Sequence, residues 1–191
     1  MSGGRSAGRQ WEAVRRWGTG SLKIPASLQF VANPLVKPEI MSTLLLKLIM
    51  LAVFGIAMAH FEGVVVVYLR KAIGMPDSAS NQKSVNSIPP WYLNVEKTRE
   101  AATIIMLLVI AFLTGNTWIE RLVYFLWTFA FWDLFYYLSL YILIKWPPDL
   151  KTTDVLFLIP RPWIAPVWFP VSVSGLTILV IIVLALLKVI F

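Results

Sequence analysis

The chain has 191 residues, 58% of them hydrophobic and 14% charged, against about 45–50% and about 25% in a typical soluble domain, so its composition predicts a membrane protein. The formal net charge of +7 does not indicate nucleic-acid binding, because most basic residues lie in the N-terminal arm or at the ends of apolar runs, where lipid headgroups bind them. Since the chain has no cysteine, it holds no disulfide, thiolate nucleophile or cysteine-bound iron–sulfur or zinc site.

Residues 1–40 form a basic N-terminal arm that contains several glycines and prolines. Within this arm, RQWEAVRRWG places Trp11, Val14 and Trp17 on one side of a short helix, which is typical of an amphipathic segment lying on a membrane surface. The alternative is a flexible arm whose tryptophans pack on a neighbouring subunit. We therefore divide the chain into this arm and a single transmembrane domain, residues 41–191.

Four apolar runs predict an all-α integral membrane protein with four transmembrane helices. They cover about residues 41–69, 94–115, 120–145 and 171–190. Asn94 is the expected N-cap of the second helix. The uninterrupted apolar part of that helix, residues 101–113, is only about 20 Å long, which is short for a full span. We therefore expect Arg99 and Glu100 at the membrane surface or just below it.

The proline-rich segment, about residues 154–170, contains VLFLI followed by PRPWIAPVWFP. Its prolines rule out a regular spanning helix, so we expect an interfacial segment or a shallow re-entrant loop held at headgroup level by Trp163 and Trp168. Tryptophans near the ends of the other apolar runs predict an aromatic belt. An even number of spans places both termini on one side of the cytoplasmic membrane. We expect that side to be cytoplasmic, since the first helix usually sets the orientation.

Three carboxylates on successive predicted helices form a candidate intramembrane polar site. The order of the helices places Glu100, Glu62 and Asp133 at increasing depth from one membrane face, with Asp133 near the midplane. Tyr136 and Tyr137 follow Asp133 at i+3 and i+4, over the same helix face. The group could handle protons or cations. The alternative, which we prefer, is a set of hydrogen-bonded anchors that fix helix packing, and Arg99 is a suitable partner for Glu62.

His60 is the only histidine and lies in the first predicted helix. It could ligate a pigment or a haem iron from one side, although a hydrogen bond between helices is the simpler interpretation. No His–Glu spacing typical of a metal site is present, so we predict no metal ion. No nucleophile motif, P-loop or dinucleotide-binding fingerprint occurs either. The sequence therefore gives no support for an enzyme of those classes.

Together these features favour a small non-catalytic subunit, structural or accessory, or an assembly factor of a larger membrane complex. The aromatic surface of the helices exceeds what four helices can bury among themselves, so we expect lipid and other membrane subunits as partners. The first alternative is a proton- or ion-handling transport protein that uses the intramembrane carboxylates. The second is a membrane redox or pigment-binding protein with His60 as its ligand.

Overall fold

The computed structural model describes residues 38–74 and 89–187, which contain four α-helices and one β-hairpin. Three of these helices are long and apolar enough to cross a membrane, over Ser42–Ala72, Trp118–Ile144 and Trp168–Leu186. The amphipathic helix predicted in the N-terminal arm lies outside the described residues, as does the end of the last predicted helix. In chain order the elements are α1 (Pro38–Ala72), α2 (Pro90–Thr114), α3 (Trp118–Ile144), β1 (Thr153–Phe157), β2 (Trp163–Pro166) and α4 (Trp168–Leu186).

The mostly helical fold agrees with the prediction, but α2 begins earlier than expected. It starts at Pro90, with Pro89 as its N-cap, so Asn94 lies inside the helix. Proline suits the first helical position because its missing N–H would have no intrahelical partner and its fixed φ is helical. In α3, by contrast, the Thr117 hydroxyl caps the helix by accepting the backbone N–H of Glu120 at 3.2 Å.

The proline-rich segment contains a β-hairpin, which the sequence analysis did not predict. β1 and β2 pair antiparallel, with Thr153 opposite Pro166 and Phe157 opposite Trp163, and the register shifts between Val155 and Phe157. Proline fits here because both strands of a two-stranded hairpin are edge strands, which can lack a ladder N–H. The expected absence of a spanning helix therefore has a structural explanation, while the depth of the segment in the membrane stays a prediction.

Helix α1 lies directly against α3, and small residues permit this contact. A Cβ atom added at Gly55 would stand 2.8 Å from the backbone oxygen of Thr128, well inside van der Waals contact. The indole N–H of Trp127 on α3 donates to the backbone oxygen of Leu48 at 2.8 Å. Buried residues from α1, α2, α3 and α4 complete the core around this contact, namely Leu44, Leu48, Leu51, Ala52, Ala111, Val123, Tyr124, Trp127 and Ile181.

Helix α2 runs antiparallel to α1. Near the start of α1, the Lys47 ammonium donates to the backbone oxygen of Thr114, the last residue of α2, at 3.1 Å. Further along α1, Glu62 pairs with Arg99, which lies in the first half of α2. The end of α1, the start of α2 and the hairpin that follows α3 therefore lie at the same end of the bundle.

Candidate functional site

A cavity of about 200 Å³ lies in this half of the bundle. The volume is far above the ~10–15 Å³ that one water molecule needs and below the ~300–1,000 Å³ of pockets for drug-sized ligands, so it suits a small organic molecule. Aromatic rings form much of the wall, namely Tyr92, Phe129, Trp132, Tyr136, Tyr137, Phe157, Trp163 and Phe169. Six ionisable acid and arginine side chains also line it, namely Arg70, Glu96, Arg99, Glu100, Asp133 and Asp154.

Arg99 on α2 links two buried carboxylates. Its Nη1 donates to Glu62 Oε2 at 2.6 Å, and its Nε donates to Glu96 Oε2 at 2.8 Å. The hydroxyl of Thr103 donates to the other oxygen of Glu62. Glu96 and Thr103 lie at i−3 and i+4 from Arg99, so one face of α2 carries all three side chains. Arg99 is thus the partner that the sequence suggested for Glu62, which is only 2% exposed.

Tyr92 lies one turn before Glu96 on α2, outside the three candidate spans. Its side chain is buried and lines the cavity. A phenol is protonated at neutral pH and has a single O–H, and at Tyr92 this group is bonded to the Glu96 carboxylate.

Glu100 ties the hairpin segment to α2. Its two carboxylate oxygens accept the backbone N–H groups of Leu158 at 2.7 Å and Ile159 at 3.1 Å. Both amides lie just after β1, where the strand pairing ends, so the carboxylate replaces partners that the hairpin does not supply. Glu100 is therefore an anchor for the segment that covers the cavity.

Asp133 and Asp154 face the same cavity and accept hydrogen bonds from different hydroxyl groups. Ser174 on α4 donates to Asp133 Oδ2 at 2.8 Å. Tyr137, which the sequence placed over Asp133, donates instead to Asp154 Oδ2 at 3.2 Å. The sequence analysis missed Asp154 and Ser174, although an acid beside the apolar run VLFLI was a signal for the first. Tyr136 also lines the cavity.

Arg70 points into the protein rather than marking only the end of the first span. It is 3% exposed, it lines the cavity, and its guanidinium carbon lies 4.3 Å from the ring centroid of Trp146. Its Nη1 atom is buried and has no hydrogen-bond partner. The sequence position of Arg70, near the end of the span, indicates its depth but not which way its side chain turns.

The predicted site residues are thus only partly brought together. Glu100, Asp133, Tyr136 and Tyr137 line the cavity, while Glu62 reaches it only through Arg99 and Thr103. Among the described residues, the acids Glu62, Glu100 and Asp133 accept hydrogen bonds from different donors and do not bond to one another. His60 is exposed and does not line the cavity. Within residues 38–74 and 89–187, no group of three or more acid, histidine or cysteine side chains could hold a metal ion.

The function of this cavity must be inferred from its chemistry. Comparison of the chain with models of known protein families, with curated proteins and with solved structures gives no match. Its wall combines two arginines, four carboxylates and a largely aromatic surface in a helical bundle with three candidate membrane spans.

Proposed function

We propose that the protein is an integral membrane protein that binds a small amphiphilic molecule in this cavity, and that α2 is its fourth spanning helix. The charges in the first half of α2 lower its hydropathy, but Glu96 and Glu100 are buried and Arg99 is largely so. Large apolar side chains cover the opposite face, including Ile105 and Phe112. An outer apolar face with charges turned inward is the arrangement expected of a helix in lipid.

The run of α2 beside α1 also supports a fourth span. Contacts to α1 occur at Thr114, at the end of α2, and at Arg99, fifteen positions earlier, which is about 22 Å along the helix axis. Since α1 is a candidate span, a helix that follows it over this distance crosses most of the ~30 Å hydrocarbon core.

The wall of the cavity carries both charged and apolar side chains, which suits an amphiphile. Arg70 and Tyr92 lie at the end where α1 stops and α2 starts, whereas Ile104 and Phe129 lie deeper in the bundle. From Tyr92 to Ile104 the helix rises about 18 Å. A molecule with a polar group and a short apolar part would place the first near the membrane surface and the second between the helices.

A matched pair of variants tests ligand binding. Ile104→Trp adds a large ring inside the cavity, while Ile105→Trp adds the same ring on the exposed face of α2. Each full-length protein is purified in a mild detergent, and the bound small molecules are extracted and identified by mass spectrometry. We expect an amphiphile in the wild type and in Ile105→Trp, and little of it in Ile104→Trp. Equal amounts in both variants, or none in the wild type, would contradict the proposal.

Cysteine labelling tests the four-span topology, because the chain has no native cysteine. Lys71 is exposed in the last turn of α1, before α2 begins, and Asn116 is exposed just after α2 ends. A membrane-impermeant maleimide should reach Lys71→Cys from outside the cell and Asn116→Cys only from the cytoplasm. Labelling of both from one side would exclude α2 as a span, and a reversed pattern would place both termini outside.

The accessory-subunit and transport hypotheses each require a different experimental observation. A subunit requires a partner protein that co-purifies, but exposed apolar surface adds no support for it, since lipid covers such a surface in any membrane protein. A proton or ion carrier requires flux in liposomes that Asp133→Asn abolishes. The binding proposal accounts directly for the cavity, because it uses the charged and aromatic side chains that line it.

A further inference from the structure

We infer that the bound amphiphile carries an anionic group, a carboxylate or a phosphate, and that Arg70 receives it. The inference rests on the proposed function and specifies the ligand of the same cavity. It starts from the state of Arg70, a cation that is 3% exposed and whose Nη1 atom has no hydrogen-bond partner.

A buried guanidinium needs a counter-charge more strictly than a buried carboxylate does. A carboxylate in apolar surroundings can be neutralised by a proton, whereas arginine stays protonated in proteins. Among the described residues, the salt bridges join Arg99 to Glu62 and to Glu96, and neither involves Arg70. The Trp146 ring, at 4.3 Å, gives Arg70 a cation–π contact but accepts no conventional hydrogen bond. Arg70 therefore has unused capacity for an anion.

The carboxylates of the cavity do not make the opposite case for a cationic ligand. Glu96 is already paired with Arg99, and Glu100 accepts two backbone N–H groups. Asp133 accepts the Ser174 hydroxyl, and Asp154, the fourth carboxylate of the wall, accepts the Tyr137 hydroxyl. These acids have donors within the protein, whereas the buried Nη1 of Arg70 has no acceptor.

The place of Arg70 in the bundle agrees with an anionic headgroup. It lies in the last turn of α1, at the end of the candidate span Ser42–Ala72. Tyr92 lines the cavity at the same end. An amphiphile bound here would keep its anion at headgroup level, with its apolar part directed toward Ile104 and Phe129, in the orientation of a membrane lipid.

Four probes with the same chain length and different polar groups test this inference, namely octanoate, octyl phosphate, octylamine and octanol. Binding to the full-length protein is measured by titration calorimetry in a nonionic detergent. We expect at least one of the two anions to bind most tightly, and the preferred anion identifies the class. Arg70→Met should weaken that binding about tenfold or more, the factor expected when a charge-assisted hydrogen bond is lost. Lys71→Met removes the neighbouring exposed cation and should leave binding unchanged.

The outcomes separate the two proposals. If octylamine or octanol binds as tightly as the anions and Ile104→Trp prevents it, the cavity is a binding site but the anionic ligand is wrong. Anion binding that survives Arg70→Met also overturns the inference. If no probe binds and the purified wild type holds no extractable amphiphile, both proposals fail. Should Arg70→Met not fold, Arg70→Gln removes the charge but keeps N–H donors and must weaken anion binding, and unchanged anion binding by that variant refutes the role of Arg70.

Discussion

The buried ion pair between Arg99 and Glu62 gives the sharpest prediction about stability. Arg99→Met removes the cation that both Glu62 and Glu96 contact, at 2.6 Å and 2.8 Å. Removing one partner of a buried pair typically costs about 3–5 kcal/mol, because the other partner is left as an uncompensated buried charge. Here two carboxylates are left, and the donors that they keep are hydroxyl groups, Thr103 for Glu62 and Tyr92 for Glu96. We therefore expect a loss in the free energy of unfolding within that range.

A second substitution, at Glu62, shows how much of this loss in the free energy of unfolding comes from the ion pair between Arg99 and Glu62. Glu62→Gln keeps the shape of the side chain and an oxygen for Thr103, so its cost should be smaller, about 1–3 kcal/mol. In the double variant the amide at position 62 carries no charge, so only one uncompensated acid is left, and the double loss should fall short of the sum by about 0.5–3 kcal/mol. Unfolding by sodium dodecyl sulfate in mixed micelles, followed by circular dichroism, measures each free energy.

Lys97→Met is the matched control, since Lys97 is an exposed cation on the same helix and should change stability by no more than about 0.5 kcal/mol. If Arg99→Met costs no more than this control, the ion pair does not stabilise the bundle. If the effects of Arg99→Met and Glu62→Gln are additive, the two side chains do not interact, and the contact between α1 and α2 described above is refuted.

Gly55→Ala tests the packing of α1, with Gly175→Ala as its control, and Glu100→Ala tests the anchoring of the hairpin. Gly55→Ala should destabilise the protein by about 1–3 kcal/mol, because the added Cβ would lie 2.8 Å from a backbone oxygen, whereas Gly175→Ala, with no atom within 4 Å, should be neutral or stabilising in the same unfolding assay. Glu100→Ala should speed hydrogen–deuterium exchange at Leu158 and Ile159, and unchanged exchange there would show that the carboxylate does not hold the hairpin segment.

Sequence patterns predicted the helices well because long apolar runs indicate membrane spans almost independently of tertiary structure. They also suggested the contact of Glu62 with Arg99, since a charge in the bundle needs a counter-charge at similar depth. The direction in which the Arg70 side chain points could not be predicted from depth in the membrane, because a side chain at the end of a span can turn toward headgroups or into the protein. Its direction depends on contacts such as that with Trp146, which lies 76 positions later in the chain.

The hairpin was missed for a related reason. The prolines in residues 154–170 were taken as evidence against a spanning helix, although α4 begins at Trp168, inside this segment. A strand pairing was not expected, because a strand tolerates proline only at an edge, and both strands of the hairpin are edges. Because the hairpin was not predicted, the position of Asp154, which lies on β1, was not predicted either. The partner of Tyr137 was therefore taken to be Asp133, its neighbour on the same helix, rather than an acid from a later segment. Local spacing identifies neighbours along one helix, whereas the cavity is built from all four helices and the hairpin.

The buried charges of the bundle are better explained by a ligand than by packing alone. Six charged side chains are buried among the described residues, namely Glu62, Arg70, Glu96, Glu100, Asp133 and Asp154. Replacing buried ion pairs with apolar residues of similar volume is often neutral or stabilising, so stability by itself gives little reason to keep them. Anchors that serve only packing would also have their hydrogen-bonding atoms paired, as the carboxylate oxygens of Glu62 and Glu100 are. Arg70, buried with a free Nη1 beside a cavity, does not meet that condition, and a bound anion would satisfy it.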